Sequence, residues 1–179
     1  MPVKYNGVIS SFCSFAYLLT TILTGHIIHW LPKRVFVLIA FCGMTVGLFL
    51  MGPSSLLGLP DHLWIFIVGY TILGAAQGFA FIPILPEVID SIYDHLGIDE
   101  GESEANDNDI SDRASSLYGS FYYIGMMVSP VVGSLVYSST KSFNKTCDVF
   151  ALFSLFYTVF FFLINILPDV KTLTKKKQQ

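Results

Sequence analysis

Charge is what this chain has least of: Asp, Glu, Lys and Arg together make up 13% of its 179 residues, against about 25% in an ordinary globular domain. That scarcity excludes a conventional water-soluble surface. It also leaves no basic patch interleaved with aromatics, so nucleic acid is not an expected partner, and the net charge of −3 averages over acids gathered in one segment. Cysteine is nearly as sparse. Cys13, Cys42 and Cys147 are far apart, with no C-x-x-C pair and no His or acid at ligand spacing, so neither a metal site nor a bound cofactor is expected. In apolar surroundings such thiols act as small hydrophobes. No Ser–His–Asp or Cys–His constellation can be assembled from the polar residues inside the apolar runs, which argues against an enzyme.

What the chain has in quantity is long apolar runs. Hydrophobic residues make up 53% and aromatics 15%, and about 20 apolar residues at 1.5 Å rise cross a hydrocarbon layer roughly 30 Å thick. Five runs qualify, at 7–31, 35–57, 63–93, 114–137 and 147–168, so the expected class is an all-α integral membrane protein with five transmembrane helices. The first is too long for a signal-peptide core and has no small-residue cleavage pattern. Pro32-Lys33-Arg34, Gly52-Pro53 and the Ser54–Asp61 stretch punctuate the chain where hydrocarbon would not tolerate irregular backbone. The third run contains Pro83 and Pro86, which predict a kink. Residues 94–113, with eight acids and almost nothing apolar, predict a disordered cytosolic loop. Residues 169–179 predict a basic cytosolic tail.

Orientation follows from cation counts in short loops. Placing the C-terminus in the cytosol puts Lys33, Arg34, Arg113, Lys171, Lys175, Lys176 and Lys177 there and leaves Lys4, Lys141 and Lys145 opposite. The same orientation puts Asn144-Lys145-Thr146, a weak N-glycosylation candidate, on the outer or lumenal face. Lys176-Lys177-Gln178-Gln179 resembles a retrieval signal to the endoplasmic reticulum, though the lysines also suit a membrane flank.

Candidate functional residues are the polar groups inside the runs. Glu87 and Asp90 are three residues apart, on one helix face near the end of the third run. Carboxylates in a membrane are costly unless they face protein or water, which makes them candidates for handling protons or cations. The alternative is that both have already reached the headgroups. Gln77 lies mid-span between Gly74 and Gly78 and needs a partner in the bundle or a cavity. Gly43-x-x-x-Gly47 and Gly74-x-x-x-Gly78 are patterns for close helix packing. Tyr118 and Tyr122 share a face at i, i+4, where aromatic hydroxyls can hold a cation. His26 and His29 read as interface residues.

Three stretches resemble the C-terminal half of major facilitator superfamily transporters, within it the vesicular amine/polyamine branch. Gly25-His26-Ile27-Ile28-His29-Trp30-Leu31-Pro32-Lys33-Arg34 is similar to the superfamily's cytosolic loop signature, without its acid. Gly78-Phe79-Ala80-Phe81-Ile82-Pro83-Ile84-Leu85-Pro86-Glu87-Val88-Ile89-Asp90 is similar to the tenth helix, with a functional aspartate at Asp90. Tyr118-Gly119-Ser120-Phe121-Tyr122-Tyr123-Ile124 resembles the start of the eleventh. The five runs would then be helices eight to twelve. The resemblance implies proton-coupled antiport of an amine- or polyamine-like organic cation, through a site shared with a missing N-terminal half. In monoamine transporters a second aspartate follows in helix eleven; here that position is Met126. Glu87 is matched by a glutamate in the polyamine-type member. By itself a five-helix piece would not transport, and the rival reading is a non-transporting membrane subunit or relic packed against another chain. The membrane itself is expected to be an endomembrane or the plasma membrane.

Overall fold

The structure is a computed structural model that describes residues 6–28, 30, 32–54, 57–58, 60, 62–98 and 104–166, without the side chains of residues 6, 104, 105, 165 and 166. His29, the acids at 99, 100 and 102, and the basic tail lie outside the described residues. Five helices follow one another: α1 (Asn6–Ile27), α2 (Lys33–Met51), α3 (Leu63–Leu96), α4 (Glu104–Thr140) and α5 (Phe143–Phe161). α5 continues as a π-helical turn, Phe162–Ile166. All five are long and apolar enough to cross a membrane. Together they define a multi-pass integral membrane protein, whose solvent is lipid. That accounts for side chains such as Phe153, Phe156 and Met127, each about 70% exposed, which would be untenable in water.

α3 is the central element. α1 and α2 both pack along it, α5 packs on α2, and α4 touches α3 and α5 more sparingly. Without a hydrophobic force between helices in lipid, close packing has to come from small residues. The two glycine patterns supply it. A Cβ on Gly74 would stand 2.3 Å from the Cys13 carbonyl oxygen, and one on Gly78 would stand 2.2 Å from Thr20 Oγ1, so this pair seats α1 on α3. Gly47 makes the same kind of approach to Leu73, where a Cβ would lie 2.7 Å from Cγ. At the far end of α2, Gly52 takes Cys147 of α5 at similar range.

Helix ends depart from the expected runs, and the largest departure corrects the acidic loop. α3 runs on to Leu96, closed by Gly97 at φ 64°, ψ 33°, whose N–H donates to the Tyr93 carbonyl at 2.9 Å. α4 begins at Glu104, so residues 104–113 are helical where disorder was predicted. The physical reason is position: Asp107 closes the first turn of a helix, where its dipole favours negative charge. Two contacts fasten the segment. Tyr93 Oη donates to Asp107 Oδ1 at 2.7 Å, and Asp109 pairs with Arg113 one turn later at 3.0 Å. Elsewhere α1 stops at Ile27, short of 31; α2 starts at Lys33 after Pro32 and stops at Met51; and α5 starts at Phe143, earlier than 147. The third run does persist as one helix through Pro83 and Pro86.

Candidate functional site

Alternating chain direction puts the starts of α2 and α4 and the ends of α1, α3 and α5 at one end of the bundle, here called the basic end. Pro32 ends the α1–α2 turn, so Lys33 and Arg34 open α2 directly beside the last turns of α3. Both are paired there. Lys33 Nζ bonds Asp90 Oδ2, and Arg34 Nε donates to Glu87 Oε1 at 2.5 Å. Side-chain exposures of 27% for Glu87 and 39% for Arg34, against 28% for Lys33 and 48% for Asp90, make the first pair the better shielded. The i, i+3 spacing of the acids thus matches adjacent cations on the neighbouring helix, a relation that spans more than fifty residues of sequence.

Gln77 lies elsewhere. It is ten residues before Glu87 on the same helix, about 15 Å along the axis, and opens on a cavity of about 510 Å³ between α1, α3 and α4. Cys13, Ser14 and Tyr17 line it from α1, Gln77 and Phe81 from α3, and Tyr118 and Tyr122 from α4. The 13, 14, 17 spacing is one face of α1. Phe81 holds the aromatic wall together, with its ring edge-on to Tyr122 at 5.5 Å and to Tyr17 at 6.4 Å between centroids. Tyr122 in turn meets Tyr123 at 5.7 Å. Among the described residues the lining carries no charge. It offers an amide, phenol hydroxyls, a serine hydroxyl and ring faces, a set that solvates a cation without a counter-ion.

The four expected site residues therefore divide two and two. Gln77 and Tyr122 share the mid-bundle cavity, while Glu87 and Asp90 sit with Arg34 and Lys33 at the basic end. Glu87 and Arg34 also border a second space of about 470 Å³ with Phe41 of α2, Leu117 of α4, and Tyr157 and Phe161 of α5. Sequence reasoning missed Tyr17, Ser14 and the two cations as partners. It also passed over Asp148, a carboxylate only 4% exposed in the second turn of α5.

Asn144 is half-buried in the first turn of α5, its Cα 3.2 Å from where a Cβ on Gly52 would stand. The sequon's Thr146 is buried, and its hydroxyl bonds the Ser142 carbonyl at 2.9 Å and Thr140 Oγ1 at 2.7 Å. Within the fold the sequon is thus only partly open, with Lys145 exposed between a half-buried Asn144 and a buried Thr146. His26 is exposed, with Nδ1 3.0 Å from the Ile22 carbonyl oxygen.

A bundle of five helices, each long and apolar enough to span a membrane, with a partly open polar cavity along α1, α3 and α4, defines the class of polytopic α-helical membrane proteins. Comparison narrows the class. The chain is 25% identical over 138 residues to "MFS-type transporter SLC18B1" of Rattus norvegicus and 24% identical over 139 residues to the protein of that name in Homo sapiens. The Mus musculus protein of that name is 24% identical over 138 residues. Each match takes in 76% of this chain and 28–29% of the relative, in its C-terminal part. The chain thus spans under a third of the curated relatives it matches. No family model and no solved structure matches it. The resemblance seen in the motifs, to the C-terminal part of a major facilitator transporter of the vesicular amine branch, is the one the comparisons find.

Proposed function

We propose that this chain supplies five helices of a secondary active transporter that exchanges protons for an amine- or polyamine-like organic cation, with the C-terminus in the cytosol. The observation that carries the reading is the mid-bundle cavity, where Gln77 of α3 meets Tyr17 of α1 and Tyr118 and Tyr122 of α4. Ring faces and hydroxyls there solvate an ammonium group, while the neutral lining lets it leave again. Asp90 and Glu87 serve the proton. Protonating either carboxylate removes its hold on Lys33 or Arg34, which loosens the end of α3 from the start of α2. Proton binding thereby acts on the helix that carries Gln77. The remaining helices of such a transporter complete the site from the other half, and rocking of the halves gives alternating access.

The rival, a non-transporting subunit, draws on one feature: the spanning stretch of α4 is unburied along its length, a face suited to another membrane chain. Uptake of radiolabelled amine and polyamine into vesicles, by the longest product of the gene, separates the readings. Uptake that collapses with the pH gradient supports antiport. Uptake indifferent to the gradient removes the coupling, and no uptake with a correctly assembled protein favours the subunit.

A further inference from the structure

α4 and α5 are joined by Lys141 and Ser142 at the end opposite the basic one, where the Thr140–Thr146 hydroxyl bond holds them together. Towards the basic end a cleft of about 470 Å³ opens between them and α2 and α3. Its apolar side is an aromatic cluster. Phe41 meets Tyr157 edge-on at 4.9 Å and Phe161 at 5.6 Å between centroids. Its polar side is Glu87, which gives Oε1 to Arg34 and whose other carboxylate oxygen has no protein partner among the described residues. Leu117 of α4 closes the cleft from the side and is itself half-exposed.

We propose that this cleft is a second binding site, distinct from the mid-bundle cavity, for an amphipathic organic cation whose ammonium pairs with Glu87 and whose apolar part lies on Phe41, Tyr157 and Phe161. The two cavities are chemically different: one is neutral throughout, and the other sets a carboxylate beside aromatic rings. An ammonium that is anchored by both charge and ring faces requires the second. A wholly hydrophilic cation would leave the rings unused, and a neutral amphiphile would leave the carboxylate unused. Arg34 competes with the ligand for Glu87, so the guanidinium sets how readily the site fills. The proposal takes from the transport reading only the choice of an organic cation as ligand class.

The full chain in phosphatidylcholine nanodiscs, with tritiated 2-phenylethylamine as probe and 2-phenylethanol as its neutral counterpart, provides the test. The amine binds and the alcohol does not compete. Glu87→Gln weakens binding about tenfold, the effect of losing one charge-assisted contact, and Arg34→Gln tightens it by removing the competitor. Leu117→Trp, which leaves the ion pair intact, blocks the cleft, and Met127→Ala on the exposed face of α4, outside both cavities, leaves binding unchanged. Opposite signs for Glu87→Gln and Arg34→Gln distinguish a site from a structural ion pair, whose two halves would fail together. Three results overturn the proposal: no binding by the unaltered chain, parallel losses in Glu87→Gln and Arg34→Gln, or loss in Tyr122→Ala alone. The last places the amine in the mid-bundle cavity and leaves the transport reading standing. Gradient-independent uptake would count against the transport reading and not against the cleft.

Discussion

Gly74→Ala perturbs the packing on which the mid-bundle cavity depends. The added methyl would stand 2.3 Å from the Cys13 carbonyl oxygen and 2.9 Å from its carbonyl carbon and sulfur, so backbone as well as side chain blocks it. Only separation of α1 from α3, by roughly 1 Å to restore ordinary contact, relieves the clash. Overpacking of this kind costs about 1–3 kcal/mol. Replacing glycine by alanine inside a helix returns about 0.5–1 kcal/mol. The net expectation is a loss of about 1–2 kcal/mol. The control is Gly125→Ala in α4, where nothing lies within 4 Å of the new methyl; it should be neutral or slightly stabilising. Titration with a denaturing detergent, followed by circular dichroism and by Trp30 and Trp64 fluorescence, reads both variants in one experiment. If Gly74→Ala and Gly125→Ala unfold at the same point, α1 does not pack on α3 as described, and Tyr17 has no claim on the cavity.

Three further outcomes follow from the geometry. In a double-mutant cycle of Arg34→Gln and Glu87→Gln, the coupling energy for stability should be on the order of 1 kcal/mol, because both partners are partly solvated; a coupling near zero would show that the pair is incidental. Asp148→Ala should lower stability by about 1–3 kcal/mol, as expected for a buried polar group whose surroundings are shaped to it, measured by the same titration; an unchanged midpoint would place Asp148 in water. Endoglycosidase treatment of the protein expressed in eukaryotic cells should leave its mobility unchanged, since Asn144 is half-buried and Thr146 is buried with its hydroxyl bonded; a mobility shift abolished by Asn144→Gln would show that modification precedes packing.

What was legible in the sequence was whatever composition controls. Hydropathy over some twenty residues found all five helices, and the glycine patterns pointed to close helix packing, because both are local properties of the chain. The acidic segment misled for the complementary reason: eight acids read as solvated coil, whereas four of them, Glu104, Asp107, Asp109 and Asp112, lie in the first three turns of α4, and Asp107 is fastened by Tyr93. Helix dipole and tertiary contact outweighed composition there. The site was half legible. Gln77 and Tyr122 stand out as polar groups in apolar helices. That they meet, and meet Tyr17, depends on how α1 and α4 flank α3. Likewise Glu87 and Asp90 stood out as acids, but their pairing with Arg34 and Lys33 depends on α2 running antiparallel to α3. Asp148 escaped notice because it is the second residue of the expected run 147–168, next to a polar stretch, and only the packing shows it buried.

The central claim of the transport reading separates two tasks in space, with the transported cation held at Gln77 and Tyr122 and the proton at Asp90, about 20 Å away along α3. It is tested most directly by comparing Tyr122→Ala with Asp90→Asn in the longest product of the gene, in vesicles loaded with labelled amine. The account predicts that Tyr122→Ala raises KM about tenfold while uptake still follows the pH gradient, as expected when a ring contact made equally in all states is lost. Asp90→Asn should abolish gradient-driven accumulation yet preserve exchange of external for internal amine. If Asp90→Asn instead stops exchange as well, or Tyr122→Ala removes the gradient dependence, cation and proton share one site and the separation claimed here is wrong.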